Sequence, residues 1–279
     1  MMKISVCGKG GSGKSSIVTL LANLARDRGY AVLVVDSDES NSGLYRMLGF
    51  DTPPVPLMEL VGGKKSILRQ MKSAPPLSDS AQPLNVLARP QVSTADIPYP
   101  HILARDGISL VCIGKILQSL EGCACPMGVL SREFLSRLRL KDDELAIVDM
   151  EAGVEHFGRG VDTSIDEVLT VVEPSLESVT LAERVNSLAA GSGVGRSWAV
   201  LNKVTSPEME SKLKEDLTRR GITVIGAIPY DLELFQAGFE GRPPDMAKTP
   251  APTGQVLDSL LLSAGDKHHL LKNGRAGPE

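Results

Sequence analysis

A glycine-rich stretch near the start of the chain has the spacing of a phosphate-binding loop. Its residues 8–15 read GKGGSGKS and fit the pattern G-x-x-x-x-G-K-[ST]. Glycines let backbone N–H groups curl around a phosphate, and the N-terminus of a following helix adds partial positive charge. Lys14 can reach the β- and γ-phosphates, and the Ser15 hydroxyl can ligate Mg²⁺. The predicted phosphate-binding residues are Gly8, Lys9, Gly10, Gly11, Ser12, Gly13, Lys14, Ser15 and Ser16.

Carboxylates follow two apolar runs further along the chain. The run VLVVD ends at Asp36, with Asp38 two residues later, and the run LAIVD ends at Asp149. Acids at the carboxyl ends of buried strands face the crevice where α/β proteins bind ligands. We expect Asp149 to hold Mg²⁺ directly or through water. The alternative for Asp36 and Asp38 is that they only cap the next helix.

Two of the four cysteines lie one residue apart, in the stretch GCACP that contains Cys123 and Cys125. Thiolates are soft ligands, typical of sites for zinc, Cu(I), Ni²⁺ and iron–sulfur clusters. One chain supplies two thiolates, and a two-fold dimer would supply the four of a closed site. The alternatives are a [4Fe–4S] cluster shared across the dimer and two structural cysteines. Cys7 and Cys112 lie in predicted strands, and we expect them to be core residues.

The elements that must position these groups alternate between strand and helix patterns. Several strand patterns are continuously apolar, which is typical of strands buried on both faces. This order predicts an α/β, P-loop NTPase fold, a mostly parallel central sheet flanked by helices on both faces. The predicted strands span residues 3–7, 31–36, 84–88, 109–113, 145–149, 167–172, 197–201 and 223–227. The predicted helices span residues 15–28, 126–139, 176–188, 207–220 and 253–263.

The pattern predicts one domain over residues 1–264, with an insertion at about 51–83 that is rich in Pro, Ser, Gly and Lys. A short helix is expected at 66–72 within this insertion, which either docks a client or is filler. Residues 265–279 are polar and are predicted to form a frayed tail. Its two histidines, His268 and His269, are interpreted as solvated residues rather than as metal ligands.

The composition is typical of a globular protein outside membranes. Hydrophobic residues make up 42% and charged residues 23% of the 279 residues, and the net charge is -4. Such a charge provides no general positive field for nucleic acid or anionic lipid. The chain shows no disulfide framework and no signal-peptide pattern. We therefore expect a cytoplasmic protein that binds neither nucleic acid nor membrane.

The early lysine of the loop points to a particular class of nucleotide-binding protein. With Lys9, the loop KGGxGKS resembles the deviant Walker A motif of the ATPase family that contains the nitrogenase iron protein, MinD, ParA and metal-insertion ATPases. The resemblance covers most of the chain and implies hydrolysis of Mg-ATP in a homodimer. It implies that Lys9 reaches the nucleotide of the partner chain, where a cation would stabilise transition-state charge. It also implies that Asp38 positions or activates the attacking water and that Asp36 lies near Mg²⁺.

The same resemblance assigns further residues around the nucleotide. Gly153 is expected to bring its backbone N–H close to the γ-phosphate. Asn202 is expected to read adenine, with Lys203 beside it, because an amide both donates and accepts hydrogen bonds. The loop of Pro229, Tyr230 and Asp231 resembles the adenine-side loop of the family.

Two motifs resemble one branch of that family, the CooC-type accessory ATPases of carbon monoxide dehydrogenase maturation. They are EAGVEHFGRG at residues 151–160 and the CxC stretch at Cys123 and Cys125. The resemblance implies a nickel or zinc site at these thiols, shared across a homodimer, and carbon monoxide dehydrogenase as client. His156 is left open as a metal ligand, a coupling residue or a structural imidazole. The competing functions are an electron donor like the nitrogenase iron protein and a positioning ATPase like ParA or MinD.

Overall fold

The computed structural model describes residues 2–38, 43–73, 87, 89–115, 125–150, 164–192, 194–248 and 252–273. For residues 73, 125, 192 and 263–273 it describes the backbone alone. The strands are β1 (Met2–Gly8), β2 (Ala31–Ser37), β3 (Ile102–Arg105), β4 (Ile108–Cys112), β5 (Glu144–Met150), β6 (Glu167–Val172), β7 (Arg196–Val204) and β8 (Val224–Pro229). The helices are α1 (Lys14–Asp27), α2 (Leu44–Met47), α3 (Leu57–Leu60), α4 (Gly63–Ser73), α5 (Cys125–Arg137), α6 (Leu176–Ser192), α7 (Pro207–Arg219), α8 (Leu232–Glu240) and α9 (Pro252–Asn273).

The strands form one eight-stranded sheet in the order β3-β4-β2-β5-β1-β6-β7-β8. All neighbouring strands run parallel except β3, which pairs antiparallel with β4. The predicted fold class is therefore confirmed. Parallel order brings the carboxyl ends of β1, β2, β5 and β7 to one edge of the sheet, where α/β proteins bind ligands.

Hydrophobic side chains from the two faces of the sheet enter separate clusters, which explains the continuously apolar strands. On one face, Ile4 and Val34 pack with residues of α1 and with Val256, Leu257 and Leu260 of α9. On the other face, Leu33 and Val35 pack with α3, α4 and α5. Every residue of β1 is buried, as expected for a central strand covered on both sides.

The structure differs from the sequence prediction in the strands before β4. The strand predicted at 84–88 falls outside the described residues except for Leu87, which lies in a bend. The edge strand β3 was not predicted, because it is short and half exposed. Its turn carries a local signal: Asp106 and Gly107 have φ angles of 48° and 80°, the backbone typical of an Asp-Gly hairpin turn.

Two regions near the predicted insertion and tail also differ from the prediction. The helix predicted at 253–263 continues to Asn273, so part of the predicted tail 265–279 is helical. A single glycine in this stretch costs only about 1 kcal/mol of helix stability and does not end the helix. Within the region predicted as an insertion, Leu57, Met58 and Ile67 are buried in the core. In the described ranges, no helix combines the length and the apolar character needed to cross a membrane.

Candidate functional site

The predicted phosphate loop connects β1 to α1 at the edge where the carboxyl ends of the parallel strands meet. Gly8 and Gly13 have φ angles of 144° and 96°, which favour glycine. A Cβ at Gly8 would lie 2.5 Å from the carbonyl oxygen of Val171, and a Cβ at Gly13 would lie 2.3 Å from Asn202 Nδ2. The glycines are therefore required by backbone conformation and by close packing against β6 and β7.

A cavity of about 540 Å³ opens beside this loop. It lies between the start of α1, the ends of β7 and β8, and one side of α8. Predicted residues that line it are Gly10, Gly11, Gly13, Lys14, Ser15, Ser16, Asp38, Asn202, Lys203, Pro229, Tyr230 and Asp231. The sequence did not predict the contribution of α8, which adds Leu234, Phe235, Gly238 and Phe239.

The acids at the phosphate end are brought together by strand register. Asp36 of β2 pairs directly with Asp149 of β5, so both carboxylates lie at the same level of the sheet. The Lys14 ammonium, on a side chain that is 6% exposed, lies 3.9 Å from Asp38 Oδ2. The cluster therefore contains buried charges of both signs beside the loop.

Asp149 has the environment expected of a magnesium ligand. Ser15 Oγ donates a hydrogen bond of 2.7 Å to Asp149 Oδ2. In the described part of the chain, the buried Oδ1 of Asp149 has no hydrogen-bond partner. Burial, and next the negative charge of Asp36, raise the pKa of Asp149 to about 7. A hard cation with oxygen ligands would offset this cost, so Ser15 and Asp149 fit Mg²⁺.

A second lysine, which the sequence did not identify, holds the other acid. Lys115 Nζ lies 2.8 Å from Asp36 Oδ1 and 2.7 Å from Asp36 Oδ2, and it also donates to the Asp38 carbonyl. Lys115 follows β4, which pairs with β2 and brings Cys112 opposite Asp36. The pKa of Asp36 is nevertheless raised to about 6, because burial outweighs the attraction of Lys115.

Lys9 contacts acids of its own chain. Its ammonium lies 3.3 Å from Glu173 Oε1 and 2.9 Å from Glu177 Oε2, beside the start of α6. Hydrogen bonds to Glu177 and Glu173 raise the pKa of Lys9, so it is a cation at neutral pH. Lys9 does not line the cavity of its own chain as the structure describes it. A contact with a partner's nucleotide stays a prediction.

Residues predicted for the base end also make structural contacts. Asn202 Nδ2 donates to the Ser12 carbonyl at 2.8 Å. Lys203 bonds to the Gly11 carbonyl and lies 3.2 Å from Glu173 Oε2. Asp231 Oδ1 accepts the N–H of Leu234 at 2.8 Å and so caps α8. These residues line the cavity, and reading of adenine by Asn202 stays a prediction.

The predicted cysteine site lies largely outside the described residues. This applies to Cys123, to the side chain of Cys125, and to residues 151–163, which include Gly153 and His156. Cys7 and Cys112 are buried, as predicted, and desolvation raises the pKa of their thiols to about 11 and about 12. Among the described side chains, no group of three or more His, Cys, Asp or Glu is arranged to hold a metal.

Comparison with known families identifies the class of protein. Residues 4–244 match the model of the CobQ/CobB/MinD/ParA nucleotide-binding domain (CbiA). The chain belongs to this family. It is an ATPase, and ATP or ADP with Mg²⁺ are the cofactors expected of it.

Individual relatives fall in the same family. An uncharacterized ATP-binding protein of Methanocaldococcus jannaschii is 40% identical over 86% of this chain and 93% of its own. The carbon monoxide dehydrogenase accessory protein CooC of Rhodospirillum rubrum is 31% identical over 86% of this chain and 88% of its own. The septum site-determining protein MinD of Pyrococcus horikoshii, complexed with Mg-ADP, matches at a TM-score of 0.65. It is 16% identical and covers 95% of this chain and 98% of its own, which supports the fold.

Proposed function

We propose that this ATPase is a metallochaperone, in which binding and hydrolysis of Mg-ATP are coupled to dimerisation and to nickel binding. The nickel would be held by Cys123 and Cys125 of two chains and inserted into carbon monoxide dehydrogenase. The CooC relative, at 31% identity over most of both chains, supports this client. Zinc is the alternative ion, because thiolates accept both metals.

The phosphate end of the cavity supports the ATPase step. Lys14 is buried at the loop, where its ammonium would neutralise charge on the β- and γ-phosphates. Asp149 and Ser15 would hold Mg²⁺, which screens phosphate charge when it is bound. Asp38 lines the cavity within reach of Lys14, where its carboxylate would orient the attacking water.

The observation that carries the proposal is that described residues before and after 116–124, the range that contains Cys123, both contact the end of the strand that bears Asp36. Before the stretch, the Lys115 ammonium is bonded to Asp36. After it, helix α5 begins at Cys125, and Ser131 of this helix forms a buried hydrogen bond of 3.0 Å with Ser37. A shift of the segment of Asp36 and Ser37 on nucleotide binding would therefore act on Lys115 and on α5, between which the cysteine stretch begins.

This arrangement supports reciprocal coupling between the two sites. If Mg-ATP changes the affinity for nickel, nickel must change the affinity for Mg-ATP by the same factor. Dimerisation would enter the same cycle through Lys9, which would exchange its contacts with Glu173 and Glu177 for the nucleotide of the partner. Hydrolysis would then loosen the dimer and release the metal.

The proposal is tested by nickel titration of reduced, metal-free protein under anaerobic conditions, with and without Mg-ATP. Metal per chain and oligomeric mass are measured on the same samples. We expect one nickel per two chains, with dimerisation, and loss of both in Cys123→Ser. The control is Cys112→Ala, which removes a buried thiol elsewhere and is expected to retain the nickel.

Two outcomes would contradict the proposal. The first is nickel binding that is unchanged in Cys123→Ser, which would make the cysteines structural. The second is an oxygen-sensitive brown chromophore in anaerobically purified protein, lost in Cys123→Ser. That result would place an iron–sulfur cluster at the thiols instead.

A further inference from the structure

Asp36 and Lys115 form an ion pair that lies outside the lining of the cavity as the structure describes it. Asp36 is 5% exposed, and the side chain of Lys115 is 14% exposed. Lys115 contacts both oxygens of Asp36, so a single ammonium holds the whole carboxylate. Among the described residues that line the cavity, Lys115 is absent. Lys115 can therefore affect the cavity only through its contacts with Asp36 and Asp38.

Lys115 places a positive charge beside three buried acids. Asp36, Asp38 and Asp149 are all buried at the ends of neighbouring strands. Lys14 lies near Asp38, but the loop places Lys14 to bind phosphate. Once Lys14 binds phosphate, Lys115 remains as the cation in contact with Asp36. A buried carboxylate that loses its cation is either protonated or moves toward solvent.

The second contact of Lys115 fixes the backbone of the water-orienting residue. Lys115 Nζ donates to the carbonyl oxygen of Asp38, while the Asp38 carboxylate lines the cavity. The carbonyl of Asp36 is fixed as well, since it accepts the N–H of Ile113 at 2.9 Å. The segment that carries both acids is therefore held by the two residues that flank Gly114.

We propose that Lys115 is a positioning residue for ATP hydrolysis, which holds the carboxylate of Asp36 and the carbonyl of Asp38 and so sets the place of Asp38 at the cavity wall. The inference rests on the proposed role of Asp38 in orienting the attacking water. It requires no metal at the cysteines. A failure of nickel binding would therefore leave it intact, and its own failure would leave the nickel proposal intact.

The test compares Lys115→Met, Lys115→Arg, Asp36→Asn and the double variant Asp36→Asn/Lys115→Met in the full chain. Steady-state ATPase gives kcat and KM, and calorimetric titration gives the Kd of Mg-ADP. We expect Lys115→Met to lower kcat at least about tenfold while the Kd of Mg-ADP changes less than about threefold, because no contact with nucleotide is lost. Lys115→Arg keeps the charge and is expected to recover much of the lost kcat, limited by its different geometry.

The double variant separates positioning from general damage. If Lys115 acts through Asp36, the double variant is no slower than the slower single variant. The matched control is Lys212→Met on the exposed surface of α7, which is expected to leave kcat and Kd unchanged.

Three results would overturn the inference. They are a kcat within about twofold of the natural chain in Lys115→Met, an equal loss of kcat and Mg-ADP affinity, and losses that multiply in the double variant. If Lys115→Met does not fold, Lys115→Leu replaces it in the same comparison. The leucine lacks both the charge and the donor for the Asp38 carbonyl, so the same limits on kcat and Kd apply.

Discussion

The two ends of the nucleotide cavity are built from opposite kinds of side chain. At the phosphate end, Lys14 is 6% exposed and Asp149 is fully buried. At the base end, Tyr230, Phe235 and Phe239 are 48%, 56% and 84% exposed. Buried charges interact strongly because little water screens them, whereas exposed rings contribute mainly contact area. We therefore expect hydrolysis to depend on the phosphate end and the predicted base end to affect mainly the affinity for nucleotide.

Substitution of Lys14 in the phosphate loop should give the largest fall in kcat. Lys14→Met leaves the developing phosphate charge without its buried cation, so we expect kcat to fall by about 10³-fold or more. Phosphate release under saturating ATP measures this change, with Lys212→Met as the control for loss of a lysine. A kcat of Lys14→Met within tenfold of that of the natural chain would show that hydrolysis does not depend on the buried cation of the phosphate end.

Asp149→Asn should abolish the dependence of nucleotide binding on Mg²⁺. The variant lacks the carboxylate that, with Ser15, fits the ion. Titration of ADP with and without Mg²⁺ measures the difference, which we expect to be large in the natural chain and to disappear in the variant. An unchanged Mg²⁺ dependence would show that other residues hold the ion.

The same variant gives a pH test of the buried acids. Burial raises the pKa of Asp149 to about 7 and that of Asp36 to about 6. The folded chain without nucleotide therefore keeps protons that the unfolded chain loses above about pH 4. The contribution of these two acids to the free energy of unfolding falls as pH rises from about 4 to about 7, and it is constant above the pKa values of the folded chain. Asp149→Asn removes the part of this pH dependence that comes from Asp149.

Thermal melts of both proteins between about pH 5 and pH 8 measure this effect. We expect the Tm of Asp149→Asn to rise relative to that of the natural chain as pH increases. Addition of Mg-ADP should reduce the slope in the natural chain, because the ion neutralises the carboxylate. A Tm difference that is independent of pH would contradict the assignment of a raised pKa to Asp149.

At the base end the expected effect is smaller and of another kind. Phe235→Ala removes an aromatic wall of the cavity, with a cost of about 1 kcal/mol in binding, or about fivefold in KM. We expect kcat to stay within about twofold, since no charge is lost. Leu262→Ala, which removes an exposed apolar side chain of α9, is the matched control. A fall in kcat at unchanged KM would show that the base end contributes to hydrolysis rather than to affinity.

The smallest effect on the isolated chain should come from the exposed partner of Lys9. Glu177→Gln removes one of the two acids that hold Lys9, and exposed pairs contribute little to stability. We expect an unchanged Tm and a larger fraction of dimer at limiting ATP, because Lys9 is more easily released. Analytical ultracentrifugation measures the dimer fraction, and a smaller fraction would indicate that Glu177 itself supports the dimer.

The parts of the site that depend on local sequence were predictable, and those that depend on strand order were not. The loop at residues 8–15 and Asp149 could be assigned because their chemistry follows from spacing and from the end of a strand. Lys115 could not, since its contact with Asp36 requires that β4 lie beside β2. The aromatic wall of α8 likewise depends on how that helix packs against the loop.

Two other glycines lie in opposite settings, Gly107 in a turn and Gly265 inside a helix. In the turn before β4, Asp106 and Gly107 carried a hairpin signal that would have predicted β3. In α9, the helix runs through the glycine of the sequence SAGD and continues beyond the predicted end at residue 263. Short sequence signals therefore determine turns more reliably than helix ends, which also depend on packing.

Coupling between the two sites is tested most directly by measuring both affinities on the same protein. The Kd of nickel is determined with and without a non-hydrolysable Mg-ATP analogue, and the Kd of the analogue with and without nickel. We predict that each ligand changes the affinity for the other by the same factor, and that nickel leaves the Kd of the analogue unchanged in Cys123→Ser, which is expected not to bind nickel. A nickel affinity that is the same with and without the analogue would contradict the proposed coupling.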